Sequence, residues 1–230
     1  MMNKLSREEL FEIVLSDNKA TRDKFLSAFP NEVDAFIDGI VQVFDHLAEL
    51  DNKMRKGERA AWVQMFLFSS FNSLLTSFHL LINGFLIPAG NLMRSWSESL
   101  AMAILCSDAQ IDIFDKFKAN PAHFSVQKAP DIVMRKNNAR ILNIDKQGWK
   151  KFLEIRDFFS KYSHATAFAL SSMTMIQVAG QLFIGSEFDN GKINEYRKEM
   201  RLRISACERL VDTAKVVEMH LTQGQHNKKD

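Results

Sequence analysis

The strongest constraint on this fold is a long segment without any charged side chain, from Ala60 to Met93. Such a segment either crosses a membrane, which needs about 20 predominantly apolar residues, or forms the core of a helical protein. On a helix its polar residues share one face, opposite a face of large apolar residues, and a lipid-facing helix tolerates such a polar face poorly. We therefore predict no membrane span but a core helix buried all round, with its polar face turned toward other polar groups. That polar face holds Ser69, Asn72, Ser73, Thr76, His79 and Asn83.

Helical periodicity continues through most of the remaining chain. Apolar residues recur at three- and four-residue spacing, which predicts helices over residues 6–15, 21–29, 31–50, 111–117, 146–166 and about 191–224. Gly84 and Pro88-Ala89-Gly90 are expected to end the core helix, so that residues 60–107 form a central antiparallel helical hairpin. The sequence predicts a single all-α domain over residues 1–224, a bundle of six to eight helices, and a disordered tail over residues 225–230.

The sequence pattern does not decide the secondary structure of two segments. Residues 119–145 contain Asn120-Pro121 and Ala129-Pro130 and read as an irregular connection. Residues 174–178 and 182–188 are rich in β-branched and aromatic residues and flank Ala179-Gly180-Gln181, which allows a small β-hairpin before the last helix. A helix continuing through Val178 is the competing interpretation.

Composition narrows the class of partner. With 30 basic and 28 acidic residues the formal net charge is +2, so no global field favours nucleic acid or an anionic membrane. Cys106 and Cys207 lie in helical segments and are interpreted as buried small side chains. Because residues 1–20 contain no unbroken apolar run, a cytoplasmic location is expected.

Two groups of basic residues interspersed with acidic ones predict a mixed, solvated surface, with contact to a phosphate backbone as the sharper alternative. The groups are Lys128, Arg135, Lys136, Arg140 and Lys146, and Arg197, Lys198, Arg201, Arg203 and Arg209.

Arg94 and Glu98 are the charged residues that stand out, because no others occur between Ala60 and Ser107. They lie four residues apart on one helix face, so an ion pair between them is expected. One interpretation is a structural pair that fixes helix register; the other is half of a buried polar site, since an unpaired buried charge costs several kcal/mol.

A second polar group lies near the end of the helix predicted over residues 146–166. His164 follows Arg156 and Ser160 there, and an imidazole next to such groups would serve as a general acid or base or bind an anion. If the two helices face each other, these side chains converge with the polar face of the core helix in one interior cavity. The predicted ligand-binding residues are Arg94, Glu98, Ser160, His164, Asn72 and His79. The six histidines show no paired ligand spacing, so neither a metal nor a cofactor is predicted.

The motif Arg94-x-x-x-Glu98 followed by Tyr162-Ser163-His164 resembles uncharacterised bacterial all-helical proteins assigned to domains of unknown function, over about residues 60–220. The chain is also distantly similar to HEPN-type ribonucleases, whose active sites use an Arg and a His four to six residues apart on one helix. Here seven residues separate Arg156 from His164.

Two classes of function therefore remain open, and whether the protein is an enzyme is undecided. The first is a non-enzymatic helical protein whose polar pocket either binds a small polar or anionic ligand or only specifies the packing of the helices. This class includes an interaction module for a protein partner and a homodimer. The second is implied by the HEPN resemblance: a metal-independent ribonuclease in which His164 acts as acid or base and Arg156 stabilises the phosphate of an RNA substrate.

Overall fold

The computed structural model describes residues 6–54, 57–121, 124–163, 166–176 and 185–223. This part of the chain forms eleven α-helices and two short 3-10 helices, at Val126–Lys128 and Asn190–Lys192, and contains no strand. The predicted all-α bundle is confirmed. The α-helices are α1 (Arg7–Leu15), α2 (Lys19–Ala28), α3 (Pro30–Lys53), α4 (Glu58–Ile82), α5 (Leu86–Ser107), α6 (Ile113–Ala119), α7 (Ala129–Val133), α8 (Lys136–Ile141), α9 (Lys146–Ser160), α10 (Ala167–Ser172) and α11 (Ile193–Gln223).

The helix count exceeds the predicted six to eight because the segment predicted to be irregular, residues 119–145, contains short helices. Helices α7 and α8 lie there. Pro130 lies in the first turn of α7, where a backbone N–H would have no acceptor within the helix, so proline costs no hydrogen bond. The predicted β-hairpin has no support: residues 174–176 and 185–188 form no strand, and residues 177–184 lie outside the described residues. The predicted disordered tail also lies outside them.

Local signals place the helix boundaries. Ser6 caps α1 in a reciprocal capping box with Glu9, and Asp145 caps α9 by accepting hydrogen bonds from the backbone N–H groups of Gln147 and Gly148. Gly84, with φ of +81°, makes the turn between α4 and α5 as predicted.

The second break predicted in this region, at Pro88-Ala89-Gly90, is wrong. Helix α5 begins at Leu86, so Pro88 lies in its first turn, where the backbone N–H has no acceptor within the helix.

Four long helices, α3, α4, α5 and α11, form the body of the bundle. Helix α4 packs mainly on α5, α11 packs on α3, α4 and α5, and α9 covers α5. The helix buried on all sides is the second half of α5, where every residue from Leu100 to Ser107 is buried. The prediction that α4 is buried all round is therefore wrong, because no described element covers one of its faces.

Helices α3 and α4 are antiparallel, as their contacts show. Phe36 stacks on Phe78 with ring centroids 3.8 Å apart, and about two turns further along α3 Phe44 contacts Phe71 at 6.0 Å. Near the end of α3 Asp51 accepts a hydrogen bond from Gln64. Later residues of α3 thus contact earlier residues of α4, so the two helices form an antiparallel hairpin. One side of this hairpin faces the core.

Candidate functional site

The ion pair predicted between Arg94 and Glu98 is confirmed. The Nε of Arg94 donates a hydrogen bond to Oε1 of Glu98 at 2.8 Å, and both side chains are partly exposed on α5. A pair that water reaches in this way contributes at most about 1 kcal/mol to stability. Arg94 and Glu98 are therefore not fully buried, and their role in ligand binding stays a prediction.

Two of the other predicted ligand-binding residues, Asn72 and His79, do not share an interior cavity with this pair. Asn72 and His79 are exposed on α4, because the face that carries them is the face without a covering helix. The hydroxyl of Ser160 donates to the backbone carbonyl of Arg156, one turn earlier in α9, at 2.8 Å. His164 lies outside the described residues.

Arg156 is held by two carboxylates. Its Nη1 donates to Asp131 Oδ1 at 2.6 Å, while Nε and Nη2 donate to Asp157 Oδ1 at 2.9 and 2.8 Å. Partial burial lowers the pKa of the guanidinium, but these hydrogen bonds outweigh that effect and raise it overall. A phosphate at Arg156 would lie beside the negative charges of Asp131 and Asp157, and the ribonuclease role of Arg156 and His164 stays a prediction.

The polar cluster that is fully buried was missed by the sequence analysis. Glu199 and Arg203 lie four residues apart on α11, and neither side chain is more than 1% exposed. Nη1 of Arg203 donates to Glu199 Oε2 at 2.9 Å, and Nε donates to the hydroxyl of Ser77 at 2.8 Å. The hydroxyl of Tyr162 donates to the second oxygen of the same carboxylate. We call Ser77, Tyr162, Glu199 and Arg203 the buried polar cluster.

Helices α4 and α11 and the turn that follows α9 build this cluster, and α5 allows it to close. Ser77 in turn donates to the backbone carbonyl of Ala89 at 2.7 Å, and the ring of Tyr162 lies so close to Gly90 that an added Cβ would be 2.3 Å from it. Burial lowers the pKa of Arg203, against the opposing effects of Glu199 and Tyr162. Burial raises the pKa of Tyr162, and the neighbouring carboxylate of Glu199 raises it further. Since Arg203 is fully buried, the cluster lies inside the bundle and not on its surface.

One feature of the sequence could have identified the buried polar cluster. Glu199 and Arg203 share the helical face of Tyr196 and Cys207, which are buried, so both charges fall within the apolar stripe of α11. The grouping of Arg203 with a solvated basic surface is therefore wrong. Two other members of that group do lie at the surface in ion pairs: Arg197 with Glu32 and Arg209 with Asp212.

The most distinctive surface is apolar and lies on α3 and α4. Phe68 is 61% exposed and Phe44 55% exposed, and both pack against Phe71 with ring centroids 6.0 Å away. We call the exposed side of these two helices the α3–α4 face. Its large exposed apolar residues are Ile37, Val41, Phe44, Met65, Phe68 and Leu75.

A groove of about 720 Å³ runs along this face, between Phe44, Leu47 and Ala48 on α3 and Met65 and Phe68 on α4. Polar groups border the groove. They include the hydrogen bond between Gln64 and Asp51 at one end, and Ser69, whose hydroxyl lies 3.1 Å from that of Ser99 on α5. An apolar centre with a polar border is the arrangement found in protein–protein interfaces.

Helix α4 also passes, by length and composition, as a candidate membrane span within the described part of the chain. In the structure it packs against α5, α3 and α11, and the buried Ser70, Ser73 and Ser77 lie on its inner side. The hydroxyls of Ser70 and Ser77 donate hydrogen bonds to backbone carbonyls of α5, so these polar groups have their partners within the protein.

Comparison of the chain with protein-family models, with curated proteins and with solved structures gives no match. The resemblance to all-helical domains of unknown function and to HEPN-type ribonucleases therefore stays a prediction.

Proposed function

We propose that this protein is an interaction module that binds an amphipathic helix of a protein partner on the α3–α4 face. The observation that carries the proposal is the set of six large apolar side chains left exposed on this face, of which Phe44, Met65 and Phe68 line the groove. The exposed fractions of the six add up to about three whole side chains. At about 150–250 Å² for a large side chain, this is on the order of 500 Å² of apolar surface.

An exposed apolar patch of this size has a physical consequence. At about 25 cal/mol per Å², keeping 500 Å² in water forgoes on the order of 12 kcal/mol of stabilisation, before the losses of freedom on binding are subtracted. Patches of roughly 300–600 Å² are the largest on typical monomers, and they are often binding sites. The α3–α4 face therefore favours association with an apolar surface.

The shape of the face favours a helix as the ligand. The groove lies between two antiparallel helices, and its walls carry side chains at the three- and four-residue spacing that also occurs on the apolar side of an amphipathic helix. Between Ala60 and its end at Ile82, α4 has no Asp, Glu, Lys or Arg. Binding would thus be selected by apolar contact, with hydrogen bonds at the border.

A direct test uses a fluorescently labelled peptide of about three heptads, with Leu at positions a and d and Gln or Ser elsewhere. Titration of the protein, followed by fluorescence anisotropy, should give saturable binding. Phe68→Glu should weaken it at least about tenfold, the equivalent of about 1.4 kcal/mol. Val14→Glu is the matched control, because Val14 is 78% exposed on α1 and lies off the face.

Failure of the peptide to bind the monomeric protein, or equal binding by the Phe68→Glu variant, would contradict the proposed function. Both variants replace exposed side chains, so each should retain the helical circular-dichroism spectrum of the parent protein.

A further inference from the structure

Six of the exposed positions of α4 form a heptad seam. They recur at alternating intervals of four and three residues, which is the spacing of a and d positions in a coiled coil. Helix α3 repeats the same spacing beside it. The seam on α4 is Ala61, Met65, Phe68, Asn72, Leu75 and His79, and that on α3 is Ile37, Val41, Phe44 and Ala48.

The seam of α4 is complementary to itself when two copies run antiparallel. With the two-fold axis midway between Phe68 and Asn72, every layer joins one a position to one d position of the other copy, as antiparallel coiled coils require. Each layer then combines side chains of compatible size. The layers are Ala61 with His79, Met65 with Leu75, and Phe68 with Asn72.

A parallel arrangement fits less well. It would place two Phe68 rings in one layer and two Ala61 methyl groups two layers away, so the helices would be forced apart at one level and leave a void at the other. The antiparallel arrangement also aligns the helix dipoles favourably.

Charge favours a protein partner over a lipid surface. The seam of α4 carries no Asp, Glu, Lys or Arg, so two copies meet without like-charge repulsion along it. On α3, the exposed charged residues beside the seam are acidic: Asp34, Asp38 and Asp45. Helices that lie on anionic membranes carry Lys and Arg at such positions.

The available area meets the requirement of a dimer. Each copy contributes on the order of 500 Å² from its six large apolar residues, so two copies bury about 1,000 Å² before the border is counted. Ala48, Ala61, Ser69 and Asn72 are exposed among or beside these residues and add to the total. A specific interface needs about 1,000–2,000 Å² in all.

We infer that the partner of the α3–α4 face is a second copy of this chain, bound with α4 antiparallel to α4 of the first. This inference rests on the proposed function, whose binding surface it uses. The homodimer has the two α4 seams at its centre, with α3 of each copy on either side.

Sedimentation equilibrium on the full chain tests the association. The wild-type protein should give twice the chain mass of 26.4 kDa at micromolar concentration. Phe68→Glu and Leu75→Glu should each raise the dimer dissociation constant at least about 100-fold, because a carboxylate would be buried without a partner in the central layers. Val14→Glu should leave the constant unchanged.

Disulfide formation tests the orientation. In the antiparallel register position 65 faces position 75 of the other copy, so the double variant Met65→Cys/Leu75→Cys should oxidise to a covalent dimer with two disulfides. Within one helix these positions are ten residues, or about 15 Å, apart and cannot join. Each single variant should stay monomeric on a non-reducing gel. The native Cys106 and Cys207 are buried and do not interfere.

The outcomes separate the inference from the proposed function. A monomeric wild-type protein that binds the heptad peptide overturns the homodimer and leaves the proposed function standing. A dimer that survives both Glu substitutions overturns the assigned interface, and covalent dimers from the single variants overturn the antiparallel register. Co-sedimentation with neutral phosphatidylcholine vesicles, abolished by Phe68→Glu, would assign the face to lipid and overturn both.

Discussion

Replacing Arg203 by Met tests the energetic role of the buried polar cluster. The substitution keeps an unbranched apolar side chain over the ring of Phe159, whose centroid lies 4.6 Å from the guanidinium carbon, but it removes the charge. Glu199 then keeps the hydrogen bond from Tyr162 and loses its counter-ion. Because an uncompensated charge in a protein interior costs about 3–5 kcal/mol, Arg203→Met should lower the free energy of unfolding by that amount.

Urea denaturation followed by circular dichroism measures this loss, provided that the transition stays two-state. Glu199→Gln should lower the free energy of unfolding by a similar amount, since it leaves the charge of Arg203 buried without a counter-ion. The double variant Glu199→Gln/Arg203→Met restores neutrality, so its loss should be smaller than the sum of the two single losses by about 0.5–3 kcal/mol.

The chain provides a matched control for this experiment. Arg94→Met removes the same kind of residue from the same four-residue spacing, but its pair with Glu98 is partly exposed on α5. The expected loss is below about 1 kcal/mol. Equal effects of Arg203→Met and Arg94→Met, or a loss below about 1 kcal/mol for Arg203→Met at unchanged m value, would refute the argument from burial.

Three further predictions follow from single positions. Gly90→Ala should lower the free energy of unfolding by about 1–3 kcal/mol or more, and with it the melting temperature, because the new Cβ would lie 2.3 Å from the Tyr162 ring. An unchanged urea midpoint would contradict this close approach. Burial lowers the pKa of His220 below 6.5, with Asp108 opposing it, so stability should fall as the pH drops from neutral through 6.5 toward the folded-state pKa; His220→Gln should reduce this fall in pH-dependent melting curves. Burial raises the pKa of Cys106 and Cys207 to about 12, so neither thiol should react with a disulfide reagent at pH 8 until the protein is unfolded in urea, and rapid labelling of the native protein would contradict their burial.

Features that repeat along the chain were predictable because they depend on local geometry. The apolar stripe that begins at Val33 gives α3, and that of Trp149 and Phe152 gives α9, since a spacing of three and four residues places side chains on one helical face. The pair of Arg94 with Glu98 was predictable for the same reason. The cysteines were expected to be buried, and both are.

Contacts between distant parts of the chain were not predictable from such patterns. Arg156 is held in part by Asp131, which lies 25 residues earlier on α7, so its spacing from His164 says little about what binds it. The hydrogen bond from Arg203 to Ser77 joins residues 126 positions apart. Neither pairing leaves a periodic signal, because it arises where two helices happen to cross.

The α4 helix shows where the division falls. The sequence by itself determined that residues 60–82 form an uncharged helix with Asn72 on one side, because composition and period are properties of the segment. Only the tertiary structure decided which side faces outward. Helices α5 and α11 cover the side with Ser77, and no described helix covers Phe68. Burial is a property of the neighbours that pack on a helix, and those neighbours come from elsewhere in the chain. For the same reason Glu199 and Arg203 form the buried ion pair while Arg94 and Glu98 remain partly exposed, although both pairs have the same spacing.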